Sequence, residues 1–157
     1  MVEDYGPAWR SGPFERGTDG PRIILAGIDG SATALRAGAY AAGLARRQRS
    51  RLVIVYVMAP ALWTAMAVGA VAAQEQIFED QIRELRRQIR ERAEEVGVPT
   101  TFIVRRGDAF TELRDAATEL RADVVVVGAS EQAGHRFIGS VAARLVKAGR
   151  WPVTVVP

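Results

Sequence analysis

The chain has 157 residues, of which 48% are hydrophobic and 25% charged, and its formal charge is +3. That length suits one domain rather than two, and that balance excludes both a disordered chain and a membrane-embedded one. Cysteine is absent, which removes thiolate catalysis, disulfide staples and zinc–thiolate sites.

Residues 1–20 hold four acids, Glu3, Asp4, Glu15 and Asp19, with Tyr5, Trp9 and Phe14 isolated among glycines and polar residues. No period of 2 or 3.6 runs through them, so the reading is a flexible arm; its aromatics allow the alternative that it docks on its own domain or on a partner. The start, Met1-Val2-Glu3-Asp4, has no basic stretch leading into an apolar core, and cytoplasm is the expected compartment. The apolar stretch from Ala59 to Ala73 falls short of the ~20 residues a spanning helix needs. The cations that remain are scattered rather than striped with aromatics, so nucleic acid is not an expected partner.

Regular patterning begins at Arg22. Ile23 to Ile28 is a nearly continuous apolar run, the mark of a strand covered on both faces. Asp29-Gly30-Ser31 ends it, and Ala32 to Gln48 reads as an alanine-rich helix with Leu35, Ala39, Ala42 and Ala45 as its buried stripe. Leu52 to Met58 is a second strand, rich in β-branched residues. The apolar segment Pro60 to Val71 follows, open to two readings: a lid using Leu62, Trp63 and Met66, or the apolar beginning of a helix.

Gln74 to Val96 carries the clearest helical period, with Phe78, Ile82, Leu85, Ile89, Ala93 and Val96 on one face and Gly97 placed to end it. Thr100 to Val104 is a third strand. Asp108 is placed to cap a helix whose stripe is Phe110, Leu113, Ala117 and Leu120. Val124 to Val127 is a fourth strand, Gly128 to Gly139 a polar loop, Ile138 to Ala148 a helix stopped by Gly149, and Val153 to Val156 a fifth strand. Short apolar strands alternating with amphipathic helices specify a mainly parallel sheet with helices on both faces.

Ligands of such sheets bind beyond the carboxyl ends of the strands, where the winding reverses. Three segments lie at such ends, Asp29-Gly30-Ser31, Val57-Met58 and Gly128-Ala129-Ser130, and Gly139-Ser140 opens the last helix. Asp29 can accept hydrogen bonds from a ribose or base, or serve as a local cap; Ser31 is equally a cap candidate. Gly128 either brings backbone close to a phosphate or only turns the chain at a strand end. Gly139 and Ser140 open a helix, where free amides attract anions. No Gly-x-x-x-x-Gly-Lys-Ser/Thr run occurs, so a P-loop hydrolase is not supported. His135 is the only histidine and cannot build a histidine metal cluster; Arg136 beside it suits oxyanions better. No Gly-x-Ser-x-Gly elbow supports a Ser130-based triad, and no enzymatic activity is expected.

The run Ile-Leu-Ala-Gly-Ile-Asp-Gly-Ser, the pair Arg106-Gly107, the stretch Ala122-Asp123-Val124-Val125-Val126-Val127-Gly128 and the ending Gly139-Ser140-Val141 … Pro152-Val153-Thr154-Val155-Val156 stand in the order and spacing of the universal stress protein family. Over residues 21–157 the chain resembles that family. The resemblance implies a doubly wound, Rossmann-like α/β fold of the adenine nucleotide alpha hydrolase type, with a five-stranded parallel sheet in order 3-2-1-4-5. It also implies a homodimer through the last strand, Val153–Val156, and a regulatory role in a stress response, with a regulatory protein as a further partner. The implied cofactor is ATP or another adenine nucleotide, with or without Mg²⁺, and any ATP hydrolysis would be slow and incidental. By position, Asp29 would meet the adenine–ribose region, the backbone at Val57 the adenine edge, Gly128 the ribose–phosphate region, and Gly139 and Ser140 the phosphates; Ser31 and Ser130 complete the candidate binding residues.

The nucleotide-binding members carry Gly, two residues, Gly, nine residues, then Gly-Ser/Thr. Here Glu131 replaces the second glycine and seven residues separate it from Gly139; Gly134 compensates only in part. A carboxylate beside phosphates repels them unless an arginine or a cation neutralises it. Two expectations therefore stand: a module that binds an adenine nucleotide, or a dimeric stress protein that has lost the nucleotide and works by protein contact.

Overall fold

The computed structural model describes residues 2–8, 20–58, 68–130 and 139–157, with side chains in all of these except 68–75. In chain order the elements are β1 (Val2–Tyr5), β2 (Ile23–Ile28), α1 (Ala32–Gln48), β3 (Arg51–Met58), α2 (Val68–Val96), β4 (Thr100–Arg106), α3 (Ala109–Glu119), β5 (Val124–Gly128), α4 (Ser140–Ala148) and β6 (Val153–Val156). One sheet holds all six described strands in the order β1-β4-β3-β2-β5-β6.

Counted from Ile23, the five parallel strands take the expected order 3-2-1-4-5. The expected five-stranded sheet is nevertheless corrected to six. β1 adds an antiparallel strand on the outer edge of β4, with Val2 opposite Ile103 and Tyr5 opposite Thr100. Docking of the first residues on their own domain, the alternative to a free arm, is thus what Val2–Tyr5 do; residues 9–19 lie outside the described residues.

Each parallel strand feeds two cores because successive side chains point to opposite faces. Ile24, Ala26, Leu52, Ile54 and Phe102 pack beneath α1 and α2. Leu25, Val53, Val55, Ile103, Val125 and Val127 pack beneath α3 and α4. Phe102, 1% exposed, is the largest fully buried side chain, and burial of such a ring contributes roughly 1.5–3 kcal/mol.

The phase of α1 differs from the expected one. Ala34, Ala37, Ala41 and Ala45 are the buried stripe, whereas Leu35 is 49% exposed. In an alanine-rich helix nearly any face can be buried, and contact with the backbone of β5 sets the rotation. α2 begins at Val68 rather than Gln74. Its face follows the sequence period: Ile82, Ile89 and Ala93 are buried, and Phe78, Leu85 and Val96 pack alongside. Gly97 (φ +66°) and Gly149 (φ +61°) end α2 and α4 in the left-handed conformation expected of helix-terminating glycines.

Asp123 has a structural task. Its carboxylate accepts from the amides of Arg22 (2.8 Å) and Ile23 (2.9 Å). That fastens the start of β2 beside β5, the two strands between which the winding reverses.

Candidate functional site

The pairing registers create the opening. β2 ends at Ile28 opposite Tyr56, while β3 runs on to Val57 and Met58. Beyond Ile28 the chain leaves the sheet, so the backbone at Val57 has no neighbour on that side among the paired strands. On the other side Gly27 pairs with Val127, and Gly128 pairs outward with Val156. A crevice of about 180 Å³ results, and Asp29, Ser31, Val57, Gly128, Ser130, Gly139 and Ser140 all line it. Every site residue expected from sequence thus faces one space.

Local turn chemistry fixes the first of these residues. Gly30 sits at φ +88°, a conformation only glycine adopts freely. The turn lets Asp29 Oδ1 accept from the amide of Ser31 at 2.9 Å. Ser31 is the residue that caps α1, its hydroxyl accepting from the amide of Ala34 at 3.2 Å. The division of labour is therefore Ser31 as cap and Asp29 as the turn's acceptor. Asp29 itself is exposed.

Thr33 was missed in sequence. It is 5% exposed, lines the crevice, and lies 3.2 Å from the Ser31 hydroxyl through its own Oγ1. A second hydroxyl in the first helical turn, two residues after a serine cap, is the signal that pointed to it.

Across the crevice, Gly139 is the N-cap of α4 and provides no side-chain cap bond. The first amides of a helix have no partners within it, and their partial positive charge favours an anion. Ser140 adds an exposed hydroxyl at the same end. Gly139 stands against Ser130, 3.1 Å from its Cβ measured from the position a side chain would start, so the two ends of the 131–138 segment meet. Glu131, Gly134, His135 and Arg136 lie outside the described residues, as do Leu62, Trp63 and Met66.

α4 is held in place by α3. Asp108 caps α3 as expected, accepting from the Thr111 amide at 3.0 Å, and pairs with Arg144 of α4 at 3.1 Å. The Arg144 guanidinium also lies 4.2 Å over the Phe110 ring, a cation–π contact. The bond from Arg144, with those from Thr111, holds the Asp108 carboxyl down at about 2. Beneath Asp29, burial pushes the Tyr56 phenol up, and the Asp29 charge adds to the effect.

Among its described residues the crevice has no lysine or arginine, and Asp29 is its only carboxylate. No cluster of three or more histidine, aspartate or glutamate residues able to hold a metal occurs among the described residues. No helix there is long and apolar enough to cross a membrane.

The universal stress protein family model matches residues 21–157. The universal stress protein YxiE of Bacillus subtilis is 28% identical over 143 residues, spanning 85% of this chain and 97% of its own. A crystal structure of a universal stress protein in complex with cAMP aligns at TM-score 0.62 and 24% identity, covering 88% of this chain and 98% of that one. A universal stress protein family protein from Arabidopsis thaliana with AMP bound aligns at TM-score 0.64 and 18% identity, covering 87% and 91%.

Proposed function

Because the chain belongs to the universal stress protein family, we propose that it binds an adenine nucleotide in the crevice between β2 and β5 and acts as a regulatory module in a stress response rather than as an enzyme. The observation that carries this reading is the convergence of Asp29, Val57, Gly128 and the uncapped start of α4 on one space. Base and ribose would lie along Val57 and Asp29, with phosphate against the first amides of α4 and the Ser140 hydroxyl. The AMP and cAMP found with two structural neighbours support the ligand class.

The residues present fit a nucleotide with few charges. Bounded by the described residues, the crevice measures about 180 Å³, below the ~300 Å³ at which pockets usually enclose a drug-sized ligand. Among the described residues the phosphate donors are helix amides and hydroxyls, which match one phosphate better than three; Arg136 lies outside them. Among the described residues Mg²⁺ would find one carboxylate, Asp29, and would enter with the phosphates. Mass spectrometry of natively purified protein tests the reading, which expects an adenine nucleotide to co-purify and to be lost from the Asp29→Ala variant. Undiminished nucleotide in that variant would remove Asp29 from the site.

A second reading rests on Glu131 and the shortened segment before Gly139: a nucleotide-free dimer that works through protein contacts. Both readings place self-association at β6, which pairs only with β5 among the described strands and so leaves an edge that seeks a partner strand. Sedimentation equilibrium that fits a monomer at every concentration would refute the dimer.

A further inference from the structure

The outer edge of β4 is where this chain departs from the five parallel strands, and the contacts there are specific as well as backbone-mediated. Directly opposed residues of an antiparallel pair share a face. Glu3 stands opposite Phe102 and Tyr5 opposite Thr100, which turns both toward α2. There Glu3 pairs with Arg86 Nε at 2.6 Å, and the Arg90 guanidinium lies 4.8 Å over the Tyr5 ring. Asp4 points the other way. It meets Arg51 Nη2 at 3.1 Å and accepts a hydrogen bond from the Thr101 hydroxyl. Arg51 Nε donates to Thr101 at 2.9 Å. Gly6, at φ +78°, then turns the chain away tightly against Val98, whose carbonyl oxygen would lie 2.8 Å from a Cβ there.

We propose that the outer edge of β4 is a strand-docking site for an extended acidic–aromatic segment of a partner protein, kept closed in this chain by residues 2–5 acting as an internal ligand. An open strand edge supplies sequence-independent backbone bonds, and side-chain sites on alternate faces supply the choice of partner. Here Arg86 and Arg90 read positions 3 and 5 while Arg51 and Thr101 read position 4, which selects acid, acid and aromatic in that order. Charge complementarity defines the occupant, since the three cations named in these contacts meet two carboxylates and one ring. At four residues β1 is shorter than the usual strand of about 5–6, and its covalent attachment gives it an advantage over a free competitor. The site is therefore occupied but displaceable, and high salt weakens its hold.

The test uses a labelled peptide of residues 1–8, Met-Val-Glu-Asp-Tyr-Gly-Pro-Ala, titrated by fluorescence anisotropy into the wild-type chain and into full-length Glu3→Arg/Asp4→Arg. The variant, whose own strand now faces like charges, is expected to bind the peptide at least about tenfold tighter than wild type. Added salt should weaken that binding, and a peptide with reversed charges should not bind. Equal binding by both proteins, no binding by a folded variant, or indifference to peptide charge would overturn the proposal. Hydrogen exchange on the wild type gives an independent reading should the variant fail to fold. Amides of Val2–Tyr5 and the outward amides of β4 should exchange together, faster than those pairing β4 with β3, and faster still with salt. Exchange that ignores salt, or that depends on protein concentration as it would for a strand donated by a second copy, would contradict an internal ligand.

Discussion

A Cβ built on Gly128 would stand 2.6 Å from the carbonyl carbon of Thr33. Neighbouring backbone is as near, with the Ala34 nitrogen at 2.7 Å and the Thr33 oxygen at 2.9 Å. Gly128 is therefore a glycine first because α1 begins against it, and only then because it lines the crevice. The same contact explains why Ala34 and not Leu35 faces the sheet.

Gly128→Ala should accordingly cost stability, because the opposing atoms are main chain and cannot rotate aside. Overpacking of this kind costs typically 1–3 kcal/mol. Denaturant melts measure it directly. Destabilisation below about 0.5 kcal/mol would show that α1 can retreat, and Gly128 would then be explained by ligand approach alone.

Ser31 and Asp29 should separate under mutation. Removing the cap in Ser31→Ala is expected to destabilise the fold by about 1 kcal/mol, read from the denaturation midpoint. Asp29→Asn keeps an oxygen for the Ser31 amide, so it should leave the midpoint nearly unchanged while weakening nucleotide binding. Equal loss of stability in both variants would mean that Asp29 serves mainly as scaffold.

The Asp108–Arg144 pair predicts an acid limb to stability. The folded carboxyl titrates at about 2 against an ordinary value of 3.8. A depressed carboxyl contributes stability that is present above 3.8 and is lost as pH falls through about 2. Both groups are about half exposed, and screening keeps the contribution small. Glu84, held at about 2 by Arg87 and Gln88 on the surface of α2, titrates over the same range, so the informative quantity is a difference. Wild type should lose more stability than Asp108→Asn between pH 4 and pH 2 in urea melts. Parallel pH curves would show that the pair does not favour the folded state.

Removing the cation in Arg144→Met should also loosen α4 from Phe110 and, through Gly139 and Ser140, weaken the phosphate end of the crevice. The effect expected is a modest loss of nucleotide affinity, several-fold rather than complete, with Asp29 contacts intact. Unchanged affinity in a folded Arg144→Met would show that α4 is positioned by its buried Ala142 and Leu145 alone.

The parallel core was legible because buried strands write continuous apolar runs and α2 writes a long helical period. The crevice was legible for a related reason: strand ends in such sheets are where turn glycines and hydroxyls collect, and Asp29 and Gly128 stood at those ends, with Gly139 at the start of the last helix. β1 was not. Val2-Glu3-Asp4-Tyr5 has no apolar alternation, and it is a strand only because Arg86, Arg90, Arg51 and the β4 edge, all distant in sequence, receive it. The phase of α1 was misleading because alanine marks no face, and Leu35, which appeared to mark one, is exposed. Glu131, the residue on which the two functional readings divide, lies outside the described residues, so its weight rests on sequence spacing.

Whether the crevice takes an adenine nucleotide is decided by calorimetric titration of nucleotide-stripped protein. Titrations with AMP, cAMP and ATP·Mg²⁺ should each be compared with the Asp29→Ala variant. Saturable binding of one nucleotide per chain is expected, with a single-phosphate ligand bound at least as tightly as ATP·Mg²⁺ and all binding weakened in the variant. Absence of heat from a folded protein with every nucleotide at millimolar concentration would contradict it and leave the nucleotide-free, partner-binding dimer as the reading.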